Sequence, residues 1–205
     1  MAFPTVIFNT HDGSHAHAES VGAILTIESV LGDDRKVEFI AFLTDMVQTF
    51  NSTWNSEDVY GRNDPIATFQ GTKRTISLSW HVPSDSLEVA KANLTRVSLL
   101  TQLLYPGYDS NNIIARPPLV KVKFTNLIQD AKTGGGLLGY IDSLMVNPGD
   151  PSNPHVENKN HYPREFHLSF NLNILHQHDL GIGEKNEPRD ATVKYRFPFL
   201  PVGSE

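Results

Sequence analysis

Alternation with a period of two is the feature that most constrains this chain. Between residues 165 and 175, Phe166, Leu168, Phe170, Leu172 and Ile174 fall on one parity with polar or charged residues between them. Successive side chains of a strand point to opposite faces, so such a run belongs in a sheet with one face buried and the other wet. The pattern recurs at 72–82, with Ile76, Leu78 and Trp80 against Thr75, Ser77, Ser79 and His81. It recurs again at 119–126, with Val120, Val122 and Phe124 against Lys121, Lys123 and Thr125, and at 36–50, with Val37, Phe39, Ala41 and Leu43 in phase. The last run is long for a strand and leaves room for a bend or a bulge part-way. Residues 5–9 and 23–29 read as further strands, the second stopping at a Gly32-Asp33-Asp34 turn.

The runs at 36–50 and 72–82 are joined by a polar segment, 51–64, whose apolar residues are Trp54, Val59 and Tyr60. Two long alternating strands joined in this way predict an extended hairpin that reaches beyond its own domain. Gly134-Gly135-Gly136 makes a turn between 119–126 and 137–146, a second hairpin. One helix is expected after Pro83. Asp85 and Glu88 have capping-box spacing, and Leu87, Ala90, Leu94, Val97 and Leu104 form an apolar stripe. Pro106-Gly107 requires the helix to end by Tyr105. The segment 147–163, with three prolines before Asn158, is too polar for core and is expected to be mobile or an insertion. A charged, Gly- and Pro-containing tail, 179–205, carries a short strand at 192–197 and is of a kind that docks on a neighbour. The expected fold is mainly β with one main helix: a single domain over 1–205, sandwich or barrel, with long extended hairpins.

Charge and composition then narrow the function. Acidic residues outnumber basic ones 23 to 17, for a formal charge of -6. Non-specific nucleic-acid binders neutralise phosphates with basic surfaces, so this balance suits a surface that DNA passes without sticking. There are no cysteines, which removes disulfide frameworks, thiol nucleophiles, Cys-based zinc sites and iron–sulfur clusters. No apolar run approaches the roughly 20 residues of a membrane helix, and the first residues lack the basic and apolar regions of a signal peptide. No membrane association is expected, and synthesis in a reducing cytoplasm fits.

Candidate chemistry is sparse. His11, His15 and His17 cluster in a polar loop, where His15 and His17 with Asp12 have the donor types of a zinc or iron site. Such sites draw their ligands from rigid elements, so a solvated Gly- and Ser-containing loop is the expectation. The same holds for His176 and His178 beside Asp179. No Gly-x-Ser-x-Gly elbow is present, and the triple glycine lacks the Gly-Lys-Ser/Thr ending of a phosphate loop. Asp33-Asp34 and Glu57-Asp58 fall in turns. The chain is therefore expected to be no enzyme and to need no cofactor or metal; a metal-dependent enzyme using His15 and His17 is the alternative from another class. Trp54, Tyr60 and Arg62 are of the residue types that dominate protein–protein hot spots, and pack either on a neighbour or on their own loop. A carbohydrate-binding sandwich is poorly supported, because Trp80 falls on the inward parity and leaves Trp54 alone.

The stretch NSTWNSEDVYGRNDPIATFQGTKRTISLSWHVPS, the helix ending in Leu103-Leu104-Tyr105-Pro106-Gly107-Tyr108, and then RPPLVKVKFTNLI and GLLGYIDSLMVNP resemble, in order and spacing, the tail-tube initiators of contractile-tailed bacteriophages. These proteins sit at the tube–baseplate junction, and the resemblance covers roughly residues 36–175. It implies a tail-tube-like fold and a hexameric ring around the DNA channel. The tail tube protein would lie on one face and baseplate hub proteins on the other, in a virion component assembled in the host cytoplasm. It also implies that Tyr60, Arg62, Asp64 and Arg74 lie at inter-subunit or inter-ring contacts. A tail tube subunit or tail terminator is the alternative within the same architecture.

Overall fold

The computed structural model describes residues 23–31, 35–40, 42–111, 113–184, 187, 189–190 and 197. The expected strand at 5–9, the His-rich loop, the Gly32-Asp33-Asp34 turn and most of the expected strand at 192–197 lie outside these residues.

In chain order the elements are β1 (Ile24–Ser29), β2 (Lys36–Ile40), β3 (Phe42–Glu57), β4 (Ile66–Pro83), α1 (Leu87–Gln102), β5 (Gly107–Tyr108), β6 (Ile114–Arg116), β7 (Val120–Phe124), β8 (Leu137–Asn147), β9 (His155–Glu157), β10 (Asn160–Tyr162) and β11 (Glu165–Ile174). Seven strands form one sheet in the order β2-β1-β7-β8-β11-β4-β3, antiparallel at every pairing. The mainly-β expectation with one main helix is met. The hairpin expected between 119–126 and 137–146 is the β7–β8 pair.

The first and last strands of this sheet are consecutive in sequence. β2 and β3 are separated by one residue, yet β2 pairs with β1 at one end of the order and β3 with β4 at the other. Two Cα atoms that far apart along the chain are at most about 7 Å apart in space. Both ends of the sheet are thus tied together, and the sheet curls around its own inner face. A chain of rings spans the interior: Phe39 of β2 lies 5.7 Å from Trp80 of β4, and Trp80 lies 5.3 Å from Phe170 of β11, centroid to centroid. The long strand expected at 36–50 is therefore two strands, which part because each half finds a different partner.

The alternation is obeyed throughout the core. Ile76, Leu78, Trp80 and Val82 of β4 are buried, as are Phe166, Leu168, Phe170, Leu172 and Ile174 of β11, with Leu25, Ile27, Val37, Phe39, Val120, Val122 and Phe124 from the other strands. Full burial is worth about 1.5–3 kcal/mol for an aliphatic side chain, so a one-residue register slip would forfeit most of the core at once.

The helix packs on β2 and on a ribbon formed by β9 and β10. Its cap lies one residue later than expected: Ser86, not Asp85, is the N-cap, and its hydroxyl accepts from the Val89 amide. Ala90, Val97 and Leu100 are buried as an apolar stripe requires, but Asn93 and Arg96 share that face. Asn93 donates to Ser84 Oγ at 2.9 Å and to the Pro83 carbonyl at 3.2 Å, and Arg96 donates to Asn93 Oδ1 at 2.5 Å. Polar side chains are tolerated there because they fix the end of β4 to the helix that follows it.

The 147–163 segment, expected to be mobile or an insertion, holds the β9–β10 ribbon and docks on α1. Lys91 of the helix pairs with Glu157 and lies over the Tyr162 ring, 5.5 Å from its centroid. Polarity excludes this ribbon from the core without preventing it from pairing.

Gly139 marks the tightest point of the wall. It pairs with Val120 on one side and Ile174 on the other, and a Cβ there would lie 2.4 Å from the Asn173 carbonyl oxygen and 3.0 Å from Leu172 Cδ1. Gly139→Ala is expected to cost about 1–3 kcal/mol, as overpacking does. The measurement is a urea transition, with a lower midpoint and an unchanged slope.

Candidate functional site

β3 and β4 are 16 and 18 residues long, and their register runs unbroken except for bulges from Phe42↔His81 to Glu57↔Ile66. β11 accompanies β4 only from Thr75 onward. Residues 51–57 and 66–73 thus form a two-stranded arm, about 20–25 Å long at the usual rise per residue. Among the described residues the arm has no third strand on either side, and every residue from Asn51 to Gln70 is exposed. The extended hairpin expected from the two alternating runs is present, and its strands run further into the polar segment than expected, β3 to Glu57 and β4 from Ile66. Pairing with β4, and not burial, holds that stretch extended.

Register decides what the arm presents. Gln48, Phe50, Ser52 and Trp54 of β3 lie opposite Ile76, Arg74, Thr72 and Phe69 of β4. Ile76 is buried, so this face continues the inner face of the sheet beyond the end of the core. Its aromatics then have no core to enter. Trp54 packs edge-on against Phe69 at 5.1 Å, yet they remain 58% and 53% exposed. Such a pair contributes roughly 0.5–1.5 kcal/mol beyond its area, and an isolated hairpin is marginal in water. An uncovered aromatic face with free strand edges is a surface suited to another chain.

The residues singled out from sequence occupy three places. Trp54 is midway along the arm; Tyr60, Arg62 and Asp64 are all exposed in its tip, where the Arg62 amide donates to the Val59 carbonyl at 3.2 Å. Tyr60 is wholly exposed and is not packed with Trp54. Arg74 is elsewhere: it is buried at the root of the arm, 2% exposed, so its guanidinium serves the protomer's own interior.

That root is a polar pocket roofed by aromatics. Arg74 donates to Gln48 Oε1 from Nε at 3.2 Å and from Nη2 at 2.7 Å, and its guanidinium carbon lies 5.5 Å from the Phe50 ring and 5.4 Å from the Phe197 ring. Burial lowers its pKa to about 10, which leaves it charged at neutral pH. His176 and His178 line the same pocket. His178 Nδ1 sits 3.4 Å from Asp130 Oδ1, within ion-pair reach but without hydrogen-bond alignment. These histidines were read from the sequence as a solvated pair beside Asp179; their side chains instead turn inward.

A second polar cluster lies on the outer face of the sheet and was not anticipated. His81 of β4 and His167 of β11 are direct cross-strand partners, their rings stacked at 4.6 Å and 14°. Glu165 lies two residues before His167, on the same face. Its Oε2 is 2.9 Å from His81 Nε2, and its Oε1 is 3.5 Å from His167 Nε2. The hydrogen bond from His81 is the main reason the Glu165 carboxyl is held below the usual carboxylate range. Sequence placed His81 on the outward parity, but only the β4–β11 register brings it to His167. Of the described residues, this trio has the donor types and spacing for a metal ion.

His176 makes the arm's root sensitive to acid. Burial first, and then the Arg74 and His178 charges, lower its pKa below that of an ordinary imidazole. The unfolded chain therefore binds the proton more readily than the folded one. Its contribution to stability is complete above about pH 6.5 and is lost as pH falls through the lowered folded value. Urea midpoints between roughly pH 7.5 and 5 are expected to fall on acidification, and His176→Gln to flatten that decline. An equal decline in the variant would assign it to other groups.

No helix among the described residues is long and apolar enough to cross a membrane. In sequence comparisons, no family model and no curated protein matches this chain.

Proposed function

We propose that this protein is a structural subunit of a phage-type contractile tail, one of a closed ring of copies at the junction of tail tube and baseplate. In this ring the arm of each copy lies against its neighbour. The observation that supports the reading is the arm itself, a hairpin that carries the inner, apolar face of the sheet out past the core with neither strand edge paired among the described residues. A neighbouring copy supplies the missing cover for Trp54 and Phe69 and the missing partners for the outer backbone groups. Tyr60, Arg62 and Asp64 at the tip then meet the next subunit or ring first. Arg74 acts one step removed, by holding the root of the arm to the barrel.

The outer face of the sheet favours a channel wall. Thr75, Ser77 and Ser79 of β4, Ser169, Asn171 and Asn173 of β11, and Ser143 of β8 form a stripe of small polar residues. Ser77 donates to Asn171 at 2.7 Å, Asn171 to Ser143 at 3.0 Å and Asn173 to Asp142 at 2.9 Å, so these groups are largely satisfied by one another. Within this stripe the polar groups are small, uncharged and largely hydrogen-bonded to one another, so it offers passing DNA little to bind, and the lysines of the same face, Lys73, Lys121 and Lys123, lie beyond it. Tail tube protein on one face of the ring and hub proteins on the other complete the reading.

Negative-stain electron microscopy over a concentration series tests it. Rings or short tubes are expected from the native chain, and Trp54→Ser/Phe69→Ser is expected to give folded monomers, because both side chains lie outside the core. Native monomers at every concentration, or rings unchanged in the double variant, would contradict the assignment of the arm.

A further inference from the structure

We propose that His81, Glu165 and His167 form a binding site for a divalent transition-metal ion, with zinc the best fit, on the outer face of the sheet where β4 meets β11. The donor atoms of the three residues all lie within 4.8 Å of one another. A tetrahedral zinc ion with bonds of about 2.0–2.1 Å holds its ligands roughly 3.4 Å apart, so side-chain adjustments on the order of 1 Å suffice. His81 Nε2 and Glu165 Oε2 at 2.9 Å, and His167 Nε2 and Glu165 Oε1 at 3.5 Å, already bracket that separation.

Two features make this a prepared site. Both histidines stand on paired strands at the same level of a ladder, so the backbone fixes their spacing and stacks their rings. Glu165 packs over Gly149, where a Cβ would stand 2.4 Å from Glu165 Cγ, so the glycine leaves the space that the side chain occupies. From there its two oxygens face His81 and His167. Two imidazoles and one carboxylate suit zinc and its neighbours in the first transition row better than magnesium or calcium, which favour all-oxygen shells.

Three protein ligands leave the fourth position facing outward, to water or to a donor from a neighbouring molecule. The ion's role here is to clamp β4 to β11 immediately before the turn into α1, at the opposite end of β4 from the arm. The inference does not depend on ring formation.

The test uses the full chain, stripped with a chelator and titrated with zinc sulfate by calorimetry. One equivalent is expected to bind, with a rise in the thermal midpoint. Both effects should be lost or weakened at least about tenfold in His167→Ala and, separately, in Glu165→Gln. The chain has nine histidines, and the N-terminal loop holds three of them. His15→Ala/His17→Ala is therefore expected to bind zinc as the native chain does. The proposal is overturned if zinc binding does not saturate, if it survives in both single-site variants, or if the loop variant abolishes it. Should His167→Ala fail to fold, Glu165→Gln decides alone, since its shape is nearly unchanged.

Discussion

Everything in this fold depends on one covalent fact: the two ends of the sheet are consecutive pieces of a single strand. β2 and β3 are one residue apart, so β1 and β4, their separate partners, are drawn to the same place. An open sheet of this length would expose one face of each strand to solvent. Curling brings Phe39, Trp80 and Phe170 into contact across the interior and gives every apolar position on the inner parity something to pack against. The helix then packs on β2 and holds the β9–β10 ribbon on its own surface, and the buried Asn93 and Arg96 bind the helix to the chain just before it.

The same continuity produces the arm. β3 pairs with β4 for its whole length, whereas β11 runs beside β4 only as far as Thr75, so the pair outgrows the wall it belongs to. What leaves the wall retains the wall's pattern, and an inner face without an interior is an unfinished interface. Arg74 sits where that transition occurs. Its charge is accommodated by Gln48 and two aromatic rings in a position whose neighbours on the parity, Ile76 and Leu78, are core. On the proposed reading, a rigid root lets the exposed part of the hairpin transmit contact from copy to copy.

Much of this architecture was legible in the sequence, because period-two alternation is a local signal. It located β4, β7 and β11, the hairpin that became the arm, and the inward direction of Trp80, while the Gly134-Gly135-Gly136 turn pointed to β8 as the partner of β7. Nothing local could reveal that the run beginning at Lys36 would serve two partners at opposite ends of one sheet. That depends on pairings more than thirty residues apart in the chain, such as Leu25 with Phe124 and Leu43 with Trp80. For the same reason Arg74 resembled a surface residue. Arg74 shares the inward parity of Ile76 and Trp80, but its charge argues for the surface, and the partner that accommodates it, Gln48, comes from another strand. The His81–Glu165–His167 cluster was hidden in another way: each residue reads as an ordinary outward position, and only register places them together. The helix cap was misplaced by one residue because Asp85 and Ser86 are both good caps, and the backbone geometry after Pro83 chose between them.

Hydrogen exchange of the arm, read peptide by peptide in dilute and concentrated solution, tests the central claim most directly. Outer-edge amides within 51–57 and 66–73 should exchange rapidly in dilute protein, since no strand among the described residues pairs with them, and should become protected as copies associate. Slow exchange confined to the β11–β4 core, with the arm equally fast at both concentrations, would contradict the claim that the arm is completed by a second copy.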